Sequence, residues 1–186
     1  VRIGDGILAG GGTAADEPSF GSVTITDGAT LHSSQRIIVG NEPAQAGGRA
    51  SEGTLTVNTG GSVIADEYLI VGWHSLPNTA VLKINGGSVA VSGDHKWGLS
   101  LGMATGIDQG EEVGHASFEM TAGTLITNRI TNGDDDATGV IDDWIWTGGM
   151  IVADVINLPI PISNNGGTLS PGGLDQVGAT VIEAKG

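Results

Sequence analysis

Leu55-Thr56-Val57-Asn58-Thr59-Gly60-Gly61-Ser62-Val63, running on to Leu69-Ile70-Val71-Gly72, carries the plan on which the chain is built. Leu55 and Val57 are two apart with a threonine between them. Side chains alternate across a β-strand, so both apolar residues point to one side and Thr56 to the other. The Gly60-Gly61 pair then allows a turn through positive φ. Val63 opens a second short strand, and a third ends in Val71-Gly72.

The same plan recurs on both sides of this stretch. Upstream it reads Val23-Thr24-Ile25-Thr26-Asp27-Gly28-Ala29-Thr30-Leu31, then Ile37-Ile38-Val39-Gly40. Downstream it reads Leu82-Lys83-Ile84-Asn85-Gly86-Gly87-Ser88-Val89, then Leu99-Ser100-Leu101-Gly102. Weaker copies are Phe118-Glu119-Met120-Thr121-Ala122-Gly123-Thr124-Leu125, Trp144-Ile145-Trp146-Thr147-Gly148-Gly149-Met150-Ile151 and Ile160-Pro161-Ile162 with Gly166-Gly167-Thr168-Leu169. The apolar residue after each glycine turn is Leu31, Val63, Val89, Leu125, Ile151 and Leu169, at gaps of 32, 26, 36, 26 and 18 residues. A propeller blade needs four strands of its own, and a sandwich has no reason to repeat one motif in order. A solenoid tolerates uneven gaps, because insertions bulge out at its corners; Gly47–Ser51 and Gly106–Glu112 read as such insertions. No stretch keeps the three-and-four apolar spacing of a helix. The pattern predicts an all-β protein, a right-handed parallel β-helix (β-solenoid) of about five to six irregular coils. Residues 1–186 form one domain in this reading, with an N-terminal partial coil (1–20) and a C-terminal strand segment (174–186). The inward residues are Val23, Ile25, Leu55, Val57, Leu82, Ile84, Phe118 and Met120.

Composition narrows the function classes. Glycine supplies 33 of 186 residues, and there is no cysteine, so disulfides and thiolate metal sites are excluded. Seven Lys and Arg stand against 21 Asp and Glu, a formal net charge of −14. Such a polyanion repels nucleic acid and anionic membrane surfaces. No run approaches the roughly 18 apolar residues of a membrane span.

The repeat plan, together with Asn164-Asn165-Gly166-Gly167-Thr168-Leu169-Ser170-Pro171-Gly172-Gly173, resembles the passenger-type β-solenoid repeats of autotransporter-associated proteins. It is similar also to the repeat regions of bacterial exported proteins that carry a PEP-CTERM sorting tail. Gly-Gly-Thr-Leu-Ser-Pro-Gly is the most specific match, and Val177–Ile182 fits the glycine-led strand that follows it there. The resemblance is one of repeat style and carries no catalytic signature. It implies export, a parallel β-helix and a structural or adhesive role outside the cell or at its surface.

Candidate sites are few. Asn132, Asp134 and Asp136 place oxygen ligands at alternate positions, as at the start of a calcium loop, with Asp142 and Asp143 following. Calcium is the one candidate cofactor, against a solvated acidic loop, since the loop's glycine and closing glutamate are missing. The histidines His32, His74, His95 and His115 have no second His or Cys at metal spacing. Trp73 and Trp97 lie near repeat ends, while Trp144 and Trp146 share one side of a strand. Exposed, such rings would stack on glycans; buried, they fill the core. No Ser-His-Asp motif, phosphate loop or dinucleotide fingerprint occurs, so catalytic residues are not assigned. A polysaccharide-active enzyme is the least favoured reading, because carboxylate pairs arise by chance on so acidic a chain.

The favoured reading is assembly. Val1-Arg2-Ile3-Gly4 has the form of the closing strands Ile37–Gly40 and Leu99–Gly102. Thr180–Ala184 reads as a lone strand. A solenoid with unfinished coils exposes unpaired main-chain groups. Two explanations carry equal weight: a fragment that has lost its caps, or copies that complete one another through Val1 and Ile3 at one end and Val181 and Ile182 at the other. The second predicts head-to-tail filaments. The competing expectation is a glycan-binding or adhesive module of a longer surface protein.

Overall fold

The computed structural model describes residues 1–5, 19–41, 51–73, 77–103, 113–133 and 139–171. Thirteen strands lie among the described residues, in chain order: β1 (Arg2–Asp5), β2 (Ser19–Ile25), β3 (Thr30–Ser33), β4 (Arg36–Asn41), β5 (Ser51–Asn58), β6 (Ser62–Ala65), β7 (Tyr68–Trp73), β8 (Ala80–Val91), β9 (Leu99–Met103), β10 (His115–Thr131), β11 (Val140–Trp146), β12 (Met150–Asn157) and β13 (Thr168–Pro171). There is no helix among the described residues. Every strand pairing is parallel. The strands stack as a β-solenoid of about four turns.

Each turn has three faces. The first face stacks β2, β5, the start of β8, the start of β10, and β11. The second stacks β3, β6, the end of β8, the middle of β10, β12 and β13. The third stacks β1, β4, β7, β9 and the last residues of β10.

Alternation decides what fills the interior. On the first face the inward columns run Val23–Leu55–Leu82–Phe118–Trp144 and Ile25–Val57–Ile84–Met120–Trp146. On the second, Leu31, Val63, Val89, Leu125, Ile151 and Leu169 form one column, so the repeat markers read from the sequence sit directly above one another. Nearly all these residues join one core cluster; Val23, Leu31, Trp144 and Leu169 are only partly buried. Each fully buried Val, Leu or Ile contributes about 1.5–3 kcal/mol. The outward column between the two first-face columns is polar for most of its length. It runs Thr24–Thr56–Lys83–Glu119–Ile145, and Lys83 Nζ meets Glu119 Oε2 at 2.9 Å.

The third face differs, because its strands are buried on both sides. Ile37, Leu69, Leu99 and Ile130 point inward, while Ile38, Ile70 and Ser100 on the opposite side are equally inaccessible. A strand covered on both faces reads as a continuous apolar run. That is why the closing strands read Ile-Ile-Val and Leu-Ile-Val without alternation. A second small cluster of Tyr68, Ile70 and Met103, with Trp73 and Trp97 against it, lies outside this face.

Between the first and second faces the chain turns through Gly28, Gly60, Gly86, Gly123, Gly149 and Gly166, all at positive φ. The corner glycine therefore forms a ladder of its own. Of the insertion read at Gly47–Ser51, Ser51 is the first residue of β5 and the rest lies outside the described residues, as do the insertion at 106–112 and the C-terminal strand segment 174–186.

Candidate functional site

The two ends of the stack differ from its middle. Among the described strands, β1, β2 and β3 pair on one side only, with β4, β5 and β6. At the other end β13 pairs only with β12, while β11, which pairs with β10, is overlain by the segment leading to β13. β1, β2, β3 and β13 each present a row of main-chain donors and acceptors that no other described strand takes up. The core columns also end half-covered. Val23 and Leu31 stand at the head; Trp144, Leu158, Ile160, Ile162 and Leu169 stand at the tail.

Exposed large hydrophobics follow the same division. Val1 and Phe20 are exposed at the head; Val140, Ile145, Met150 and Val155 are exposed on β11 and β12. Ile126, on the outer side of the second face, is the one described exception, and no described residue between β3 and β9 is among them. Of the residues the sequence points to for assembly, Ile3 is buried and Val1 is exposed. The Val1 amine donates to the Arg36 carbonyl at 2.9 Å, and the Ile38 N–H donates to the Val1 carbonyl at 2.9 Å. Val181 and Ile182 lie outside the described residues.

The tryptophans divide into two groups. Trp144 and Trp146 both point inward, in register with Phe118 and Met120. Trp144 stacks on Phe118 with ring centroids 4.5 Å apart and planes 24° apart. Trp146 is buried, and the last described coil folds over it, with the Asn165 N–H donating to the Trp146 carbonyl at 2.9 Å. Trp97 sits edge-on to Tyr68 at 4.9 Å and against His95 at 4.5 Å, with the Lys96 ammonium 5.6 Å from its ring centroid. Trp73 packs against the same outer cluster. No sequence signal joined Tyr68 and His95 to Trp97, because 27 residues separate Tyr68 from His95 and only stacking brings them together.

The acidic segment is described only at its edges. Asn132 is buried, and its Nδ2 donates to the Leu101 carbonyl of the preceding coil at 2.6 Å. Asp134 and Asp136 lie outside the described residues, so the calcium reading rests on its sequence pattern alone. No group of three His, Asp or Glu among the described residues is placed to hold a metal. His32 pairs with Asp66 at 3.0 Å on the surface, and His74 lies outside the described residues.

One polar network spans three coils. His115 Nδ1 lies 2.7 Å from Asp142 Oδ1, and the Asn78 N–H donates to Asp142 Oδ2 at 2.6 Å. Asn78 reaches this position with φ of 60°, which asparagine tolerates better than most residues. Separations of 27 and 64 residues hide the network from a linear reading. Asp142→Ala leaves two polar groups without their carboxylate. Chemical denaturation should show a loss of about 1–3 kcal/mol, whereas Asp143→Ala, on the exposed neighbour, should stay within about 0.5 kcal/mol of wild type.

Compared with known proteins, the chain matches no family, no curated protein and no solved structure. Its own geometry is therefore what bears on function. Among the described residues, the outermost strands leave main-chain groups and apolar area of the kind that strand association uses.

Proposed function

We propose that this protein is an extracellular structural protein that assembles head to tail into a filament or surface layer through its open solenoid ends. The carrying observation is that the outermost described strands, β1, β2 and β3 at one end and β13 at the other, pair on one side only, above core columns that finish on half-covered apolar side chains. Three features support it. The two inward columns that begin at Val23 and Ile25 keep one apolar residue per coil from β2 to β11, so stacking another coil continues the same core. The head and tail are different surfaces, so their contact is heterologous and does not close. The repeat style resembles that of exported bacterial solenoids. In this reading the solenoid is right-handed, as crossovers between parallel strands overwhelmingly are, and its partial coils bring the count to five or six.

Light scattering over a hundredfold range of concentration, followed by negative-stain microscopy, tests the proposal. The expected result is mass that grows with concentration and unbranched rods of one coil's width. A protein that stays monomeric across that range would overturn the assembly reading.

A further inference from the structure

Going beyond end-to-end assembly, we infer that the outer surface of the second face is a lateral docking surface, and that its occupant is the same face of a second copy of this chain.

Two outward columns build this surface. Leu31, Val63, Val89, Leu125, Ile151 and Leu169 point inward, so the residues on either side of each point out. The first column runs Thr30–Ser62–Ser88–Thr124–Met150–Thr168. The second runs His32–Ile64–Ala90–Ile126–Val152–Ser170. None of these residues is buried. Ile126 is 48% exposed and Met150 37% exposed. The first column is a ladder of hydroxyls broken only at Met150, and Ser88 Oγ donates to Ser62 Oγ at 3.2 Å. The second column is aliphatic from Ile64 to Val152.

Charge selects the occupant. The chain carries a formal net charge of −14, so two copies repel one another wherever acid meets acid. Neither column holds an Asp, Glu, Lys or Arg. The outer side of the first face holds Glu52, Lys83, Glu119 and Asp143. On the third face the outward residues Ile38, Ile70 and Ser100 are already covered. Among the described residues, the second face is therefore where two such polyanions meet at the least electrostatic cost. A second copy also brings an aliphatic stripe of matching length to cover Ile64, Ile126 and Val152, and hydroxyls that both donate and accept. Acids stand at the rim, with Asp66 beside His32 and Asp154 two residues beyond Val152. The contact should therefore strengthen as salt screens them.

Size sets the strength. Six rungs about 4.8 Å apart, with outward residues about 6.7 Å apart along each strand, give roughly 300–400 Å² per copy once side chains are included. A stable dimer covers about 800 Å² per partner. Single copies therefore pair weakly, whereas stacked coils lengthen both columns and let rods pair through many contacts at once. The strength of the contact rests on the rod reading; its location does not.

Cross-linking tests the location, because the wild-type chain has no cysteine to interfere. Opposed sheets lie about 10 Å apart. Ile126 stands near the middle of its column, so its two copies come close whether the partners run parallel or antiparallel. Treated with a short bismaleimide, Ile126→Cys should give covalent dimers, and more of them with added salt. Thr56→Cys, on the outer side of the first face, should give none. Ile64→Glu or Ala90→Glu, each added to Ile126→Cys, should cut the dimer yield about tenfold or more, since each buries a charge against an aliphatic stripe; circular dichroism checks that both variants stay folded. By microscopy, wild-type rods should lie side by side and Ile64→Glu rods singly. Rods without cross-linking at position 126 above the Thr56→Cys background would overturn the lateral contact and leave end-to-end assembly standing. Cross-linking at position 126 without rods would support the lateral contact and overturn end-to-end assembly. Retention on cellulose that Ile64→Glu abolishes, with no cross-link, would overturn the second copy in favour of a neutral glycan.

Discussion

Ile84→Asp should abolish folding, while Thr56→Asp should leave the melting temperature within a few degrees of wild type. The two positions lie in adjacent columns of the same face, one inward and one outward. Ile84 is completely buried between Val57 and Met120, which pair with it above and below. Neither neighbour can hydrogen-bond a carboxylate. The substitution forfeits about 1.5–3 kcal/mol of apolar burial and adds an unpaired charge costing several kcal/mol more. Together these rival the whole stability of a domain, typically about 5–15 kcal/mol. Thr56 faces outward, next in its column to Lys83, so a new carboxylate there finds water and a cation. Exposed pairs of that kind contribute about 0–1 kcal/mol. Circular dichroism and thermal melting of both variants check the expectation. Equal damage from both would show that the face assignment is wrong.

The core was legible because two signals of different period coincide in every repeat. Alternation at Leu55-Thr56-Val57 gives the inward face of one strand, and the glycine pair after it marks where the chain must turn. Counting from that turn aligned Leu31, Val63, Val89, Leu125, Ile151 and Leu169, which form one column. Seven of the eight residues read as inward are buried, and Val23 is half-covered because it belongs to the first rung. The side shared by Trp144 and Trp146 was legible for the same reason. Whether that side was core or surface was not, since alternation gives a face but no direction. The register with Phe118 and Met120 decides it.

What the sequence hid depends on stacking across uneven coils. The gap between equivalent residues varies, so no fixed period predicts that His115 meets Asp142 or that Asn78 joins them. The outer cluster of the third face was hidden differently. Ile38 and Ile70 lie in apolar runs with no alternation, and such a run says that both sides are covered without saying by what. The chain's opening strand pointed to Val1 and Ile3, but exposed apolar surface is densest at Phe20 and on β11 and β12, where no terminus marks it.

The corner ladder yields the second large expected effect. Gly123→Ala should destabilise the protein far more than Gly28→Ala, although both glycines occupy the same corner at nearly the same φ, 94° and 83°. Backbone strain alone predicts equal costs, since an alanine held at positive φ loses roughly 1–2 kcal/mol. Space separates them. A Cβ on Gly28 meets nothing within 4 Å, because Gly28 stands in the first rung. A Cβ on Gly123 runs into the Gly87 carbonyl oxygen and lies 2.9 Å from the Gly86 carbonyl carbon of the coil before it. Those atoms belong to backbone that is itself pinned in the ladder and cannot step aside without breaking the pairing of β10 with β8. Gly28→Ala should therefore cost about 1–2 kcal/mol, and Gly123→Ala about 4 kcal/mol or more, the range reserved for a few severe mechanisms. Urea unfolding of the two variants side by side measures the difference. Equal losses would show that the corners are not stacked as closely as the β8–β10 register requires. An alanine at position 28 that became costly only under assembling conditions would instead place another coil against the head.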